Sequence, residues 1–188
     1  DVRNNSLLAK VDHQLNPDQR LTLRYTYGDG LNENIEPFGG QVARSRAASL
    51  DSQDNMMAAS HTAVISNKIV NELRVQFARR DQKVLSLDPL CDGECDLDTE
   101  GGPTLEVVGF ASVGRQRFTP QPRLNDRYQV LETISLFTGR HQLKAGFDFN
   151  YVDHKEQALP LHFGGRYIFR PLPAIPGVLP VPVSSIQA

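Results

Sequence analysis

Two cysteines four positions apart, Cys91 and Cys95 in the string CDGEC, are the residues whose type and spacing most readily suggest covalent chemistry. Their separation allows one chain reversal to join them, so a local disulfide is the expectation, ahead of free thiols or metal binding. Two thiolates with no further cysteine or histidine close in sequence are too few to specify a structural zinc site. Asp92, Glu94, Asp96 and Asp98 could offer oxygens to calcium, but their spacing does not follow the EF-hand loop, and a solvated acidic loop is the better reading. The five histidines, His13, His61, His141, His154 and His162, are dispersed, and no serine, histidine and carboxylate series emerges. No enzymatic activity and no cofactor are expected.

A second set of polar residues is ordered by period. Arg24, Glu72, Arg74, Lys144 and Asp148 each alternate with apolar neighbours: Leu21, Leu23, Tyr25 and Tyr27 face one way while Arg20, Thr22, Arg24 and Thr26 face the other. Period two makes this a strand with one apolar and one polar face. Leu73, Val75 and Phe77 alternate with Glu72, Arg74 and Gln76, and Leu143, Ala145, Phe147, Phe149 and Tyr151 alternate with Lys144, Gly146, Asp148 and Asn150. The polar set is expected to line a wet lumen. Leu21, Leu23, Tyr25, Tyr27, Phe77, Phe147 and Phe149 are expected to face lipid, although the same stripe could be core in a soluble sandwich.

Those strands must be held by hairpins. Turn signals occur at Asn16, Pro17, Asp18 and Gln19, at Ser66, Asn67 and Lys68, and at Thr138, Gly139 and Arg140. Residues 55–65 read as a strand, with a helix as the alternative because MMAA favours one. The period fails over 28–52, 81–125 and after Asp153, apart from short strands around Leu105 and Val107 and around Tyr167 and Phe169. Successive antiparallel strands reverse direction, so the short turns gather at one end of the sheet and the long connections at the other. Outer-membrane barrels have short periplasmic turns and long extracellular loops.

The formal charge of -2 and the absence of a basic block argue against a nucleic-acid partner. No run of about 18 apolar residues exists, which excludes an ordinary transmembrane helix but not a barrel, whose strands leave little hydropathy signal.

Three ordered strings, LLAKVDHQLNPDQRLTLRYTY (7–27), ASHTAVISNKIVNELRVQFARR (59–80) and TGRHQLKAGFDFNY (138–151), resemble successive barrel segments of TonB-dependent outer-membrane receptors. They are especially similar to the Oar-like group, whose members often carry an N-terminal carboxypeptidase-regulatory-like domain. The strings NELR (71–74) and GRHQLKAG (139–146) are the sharpest points of likeness. The resemblance implies a plugged barrel in the bacterial outer membrane that imports a bulky ligand, with energy delivered through the TonB system. No plug or TonB-contacting segment is recognisable, and the strands are too few to close such a barrel. Residues 1–170 are therefore expected to be an all-β, antiparallel, internal barrel fragment, and 171–188 a proline-rich extended segment or the start of a further outer loop. The implied partners are outer-membrane lipid, the missing barrel and plug portions, the TonB system indirectly, and an unidentified transported ligand. A secreted β-sandwich that binds ligands through its long loops is the alternative.

Overall fold

A computed structural model describes residues 1–33, 35, 41–87, 102–157, 161–162 and 164–185. Its main body is one antiparallel sheet of six strands: β1 (Val2–Asn16), β2 (Gln19–Glu33), β3 (Ala48–Ser66), β4 (Ile69–Ser86), β7 (Gln121–Thr138) and β8 (His141–Gln157). They lie in the order β1-β2-β3-β4-β7-β8, a meander in which each strand pairs with the next. The connection between β4 and β7 contains β5 (Thr104–Val107) and β6 (Ala111–Gly114). With β9 (Arg166–Phe169) these form a second sheet in the order β6-β5-β9, where β5 and β9 run parallel.

The three short turns fall where the turn residues stand. Asn16 Oδ1 accepts a hydrogen bond from the Asp18 amide at 2.9 Å, and Ser66 Oγ accepts one from the Lys68 amide at 3.2 Å. Gly139 adopts φ 56, the left-handed conformation that glycine enters without a Cβ penalty. Single-residue register shifts precede the first two turns, between Gln14 and Asn16 and between Val64 and Ser66. These β-bulges place two residues opposite one and tighten the local twist.

Residues 55–65 are strand, not helix, and every long strand extends further than alternation alone indicates. β2 continues through Glu33, β3 starts at Ala48, β4 continues through Ser86 and β7 starts at Gln121. These extensions occupy much of the stretches where the hydrophobic period fails. Their backbones remain paired in register, with Gly30 opposite Ser52 and Lys83 opposite Pro122. The physical reason is that the extensions carry mostly polar residues on both faces, with apolar ones such as Leu31, Leu50 and Leu124 only scattered among them, so pairing persists where side-chain contrast does not.

The long connections are knitted together rather than separate. A 3-10 turn, Arg44–Arg46, lies against β6, and the Gly114 amide donates to Ser45 Oγ at 3.0 Å. Val42 bridges to Ser112, and the Thr104 amide donates to the Gly165 carbonyl at 2.9 Å. The buried residues collect at this end. Ala47 and Ala48 are its buried apolar members, and Arg46, Ser86, Thr104, Arg115, Gln116 and Thr119 are buried polar ones. Along the main sheet large apolar side chains stand exposed, including Val11, Met57, Phe147 and Phe149. The sandwich alternative requires a second sheet over those residues, and among the described residues none covers them.

Candidate functional site

The pairing register assigns every side chain of the main sheet to one of two faces. Leu21 is opposite His61, His61 opposite Leu73, Leu73 opposite Glu132 and Glu132 opposite Phe147. One turn of the pleat further from the short turns, Leu23, Ala59, Val75, Val130 and Phe149 form the next row, and beyond it come Tyr25, Met57, Phe77, Tyr128 and Tyr151. Leu21, Leu23, Tyr25, Tyr27, Phe77, Phe147 and Phe149 therefore share one face.

The row of Tyr25, Phe77, Tyr128 and Tyr151 is an aromatic band across the sheet. The Phe77 and Tyr128 rings lie 5.2 Å apart and those of Tyr128 and Tyr151 6.3 Å, distances at which aromatic pairs attract. From this row to the short turns, residues 19–25, 69–77 and 128–138 provide seven, nine and eleven residues. That brackets the roughly 9 to 11 residues of a tilted bilayer crossing. Just beneath the band, Ala9 and Ala59 leave a trough of about 590 Å³ between larger side chains.

Tyr27 shares the face but lies one row beyond the band, where its neighbours across the sheet are Asn55 and Arg79. Its hydroxyl accepts a hydrogen bond from Gln53 Nε2 at 3.2 Å. In the same row Asp126 is completely buried between Arg79 and Lys155. Arg79 donates two hydrogen bonds of 2.7 Å to its two oxygens, and Lys155 Nζ lies 2.5 Å from Oδ2. Lys155 reaches Asp126 because a register shift between Leu124 and Asn125 bulges it out of the β8 ladder. This trio was missed from sequence, since a charge pair between strands far apart in the chain becomes visible only through register.

Arg24, Glu72, Arg74, Lys144 and Asp148 all fall on the opposite face. Arg74 Nε donates to Glu72 at 2.8 Å along the strand, and Asp148 accepts a hydrogen bond from Gln129 at 2.9 Å. Arg24 and Lys144 stand away from these pairs. Neighbouring polar groups that sequence reasoning did not single out complete the face. Thr22 Oγ1 donates to Asp12 at 2.6 Å, and Arg80 grips Asp54 through two hydrogen bonds of 2.7 and 2.8 Å.

Glu106 is the hub of the knitted connections. Its carboxylate lies 3.5 Å from Arg46 Nη1 and accepts a hydrogen bond from Arg166. The Arg166 hydrogen bond holds the carboxyl below the usual carboxylate range, against a smaller opposing effect of burial. His162 lies nearby with φ 54, and burial, reinforced by Arg166, pushes its imidazole below the ordinary histidine value. Cys91 and Cys95 lie outside the described residues, as do the acids between and just after them. Among the described residues no group of three or more histidine, cysteine or acidic side chains is placed to hold a metal ion.

A family model described as outer membrane beta barrel domain matches residues 1–171. No curated protein and no solved structure matches the chain.

Proposed function

This chain belongs to the outer membrane beta barrel domain family, and on that premise we propose that it forms part of the barrel wall of a TonB-dependent receptor of the Oar-like group. It resides in the bacterial outer membrane, with its short turns on the periplasmic side and its long connections outside. The observation that carries the reading is the division of the sheet at the aromatic row. On the turn side of that row one face is predominantly apolar and exposed and the other is polar and ion-paired. Such a wall suits lipid on one side and water on the other. The exposed apolar area would be an aggregation liability on a water-soluble protein.

In this reading Leu21, Leu23, Tyr25, Phe77, Phe147 and Phe149 meet lipid, Tyr27 sits at the outer interface, and Arg24, Glu72, Arg74, Lys144 and Asp148 line the lumen. Six strands fall short of the eight that close the narrowest barrels. Further strands and a plug complete the receptor, and the TonB system supplies the energy for import of a bulky ligand. The chain performs no catalysis and no transport by itself.

Energy dependence tests this. Cells producing the full receptor are offered fluorescently tagged siderophores, oligosaccharides and peptides, with and without a protonophore. Accumulation of at least one probe is expected, and the protonophore should abolish accumulation while leaving surface binding intact. Accumulation indifferent to the protonophore would mean a passive pore and overturn the reading.

A further inference from the structure

The polar face carries more positive charge than its own acids neutralise. Those acids are Asp12, Asp54, Glu72 and Asp148. Lys10 and Arg20 lie 2.9 and 3.0 Å from Asp12, Arg80 lies 2.7 Å from Asp54, Arg74 pairs with Glu72, and Asp148 takes its hydrogen bonds from the neutral Gln129. Arg24, Arg123, Arg127 and Lys144 share the face and, among the described residues, none of them has an acid within ion-pair distance. Cations thus outnumber acids two to one there, although acids outnumber Lys and Arg 22 to 20 in the whole chain. The surplus is a property of the face. The opposite face carries Asp29, Asp51, Asp81 and Asp153 beyond the aromatic row.

The unpaired arginines stand beside open space. A hollow of about 530 Å³ nearer the long connections is bordered by Thr26, Ala78, Arg80 and Arg127, and one of about 380 Å³ nearer the short turns by Arg24, Ala58, Ser60 and Arg74. Gln76 borders both. They occupy consecutive rows: Thr26, Met56, Ala78 and Arg127 align across four strands, and Arg24, Ala58, Gln76 and Gln129 align in the next row. Two residues separate the rows, about 7 Å along the strand. Thr26, Ala58, Ser60 and Ala78 keep parts of the floor low, and long cationic side chains flank it. Thr26 Oγ1 is buried beside the upper hollow without a hydrogen-bond partner.

We propose that this face is a track for small anionic solutes bearing carboxylate or phosphate groups, received by Arg127 at the outer hollow and handed to Arg24 at the inner one. Arg74 and Arg80 already spend their donors on acids, whereas Arg24 and Arg127 have charge-assisted donors to offer. The surplus charge also raises the local concentration of anions before contact. The inference rests on this face being the lumen wall, as above, and not on how import is energised.

The test uses the full-length protein in planar bilayers, opened with moderate urea where its plug closes it, under a potassium chloride gradient. The reversal potential should show chloride preferred over potassium. Arg24→Glu combined with Arg127→Glu should lower the chloride-to-potassium permeability ratio by about twofold or more. Arg24→Gln with Arg127→Gln should shift it in the same direction by less, and serves where the charge-reversed protein does not reach the membrane. Citrate, as a polycarboxylate probe, should block the chloride current of the wild type and lose potency in Arg127→Gln. Potassium preference in the wild type, or a reversal potential unmoved by the substitutions, overturns the track. A change confined to the urea needed for opening would mean that the arginines hold the plug, and overturns it equally. An anion-selective pore in a protein whose uptake ignores the protonophore supports the track and removes the importer reading alone.

Discussion

Arg46 Nη1 lies 3.5 Å from Glu106 Oε1, which ties the connection after β2 to strand β5. Arg166 donates to the same carboxylate from β9, so one acid joins the three long connections. The pair is largely withdrawn from water, with side-chain exposures of 8% and 17%. Replacing Glu106 by glutamine should weaken the joint by about 1–3 kcal/mol, because the two guanidinium groups lose their common anion. Amide hydrogen exchange in β5, β6 and β9 of the full-length protein should accelerate while the main sheet is unchanged. Unaltered protection in all three strands would refute the hub assignment.

The same joint should respond to acid in two stages. His162 is held below its ordinary value chiefly by burial, so the opened segment binds a proton more readily than the closed one. Stability contributed there is full above about pH 6.5 and declines as pH falls below it. Glu106 is also held below its ordinary value, by the Arg166 hydrogen bond, so its contribution is full above the usual carboxylate range and disappears as pH falls through the lowered value. Exchange rates corrected for intrinsic chemistry should therefore rise in an upper and a lower limb. His162→Asn should remove the upper limb alone, since asparagine tolerates the left-handed backbone found at this position. Protection that stays flat as pH falls from about 7 to well below the usual carboxylate range would contradict both assignments.

Spin labels at Leu21 and Leu23 in the full receptor should report lipid, and labels at Thr22 and Arg24 should report water. The register places the first two and the last two on opposite faces. A label at Tyr27 should show intermediate exposure, because its row also holds Asn55 and Arg79. Equal accessibility to an aqueous relaxation agent at all five positions would be incompatible with the wall proposed here.

Gly146 is required by close approach rather than by a turn. A Cβ built there would overlap the backbone carbonyl oxygen of Glu132 on the paired strand. Gly146→Ala should destabilise the β7 and β8 pairing by about 1–3 kcal/mol, and Gly146→Val should block assembly. Urea unfolding of the full-length protein in lipid provides the measurement. An alanine variant with the wild-type midpoint would show that the strands separate freely.

The cysteine pair, Cys91 and Cys95, should be joined in exported protein, as a short reversal in an oxidising compartment favours. Peptide mapping without reductant, after rapid alkylation, should recover one cross-linked peptide. Two alkylated thiols would reject the bond.

The sequence made the bilayer-length portions of the strands legible because two solvents act on them. Leu21, Leu23 and Tyr25 against Thr22 and Arg24 is a contrast imposed by unlike surroundings on the two faces, and it survives in the period. Beyond the aromatic row the contrast vanishes: Asp51, Ser52, Gln53 and Asp54 are polar in succession, and their partners at 80–83 are polar as well. Such strands read as loops. The Glu106 hub was illegible for a different reason, since Arg46 and Arg166 lie far from it in the chain and only the fold brings them together. The register puts Arg24, Glu72, Arg74, Lys144 and Asp148 on one face. Which of its cations lack acid partners required register, because Arg24 and Arg74 look alike in a one-dimensional pattern.

If the long connections face outward as proposed, the joining of three of them around Glu106 also determines what a binding partner or antibody meets there. Arg46 and Glu106 are themselves largely hidden, but with Arg166 they fix the three connections against one another, so a peptide copied from any single connection cannot reproduce the surface they form together. Antigenic drift in one connection is therefore constrained by the other two.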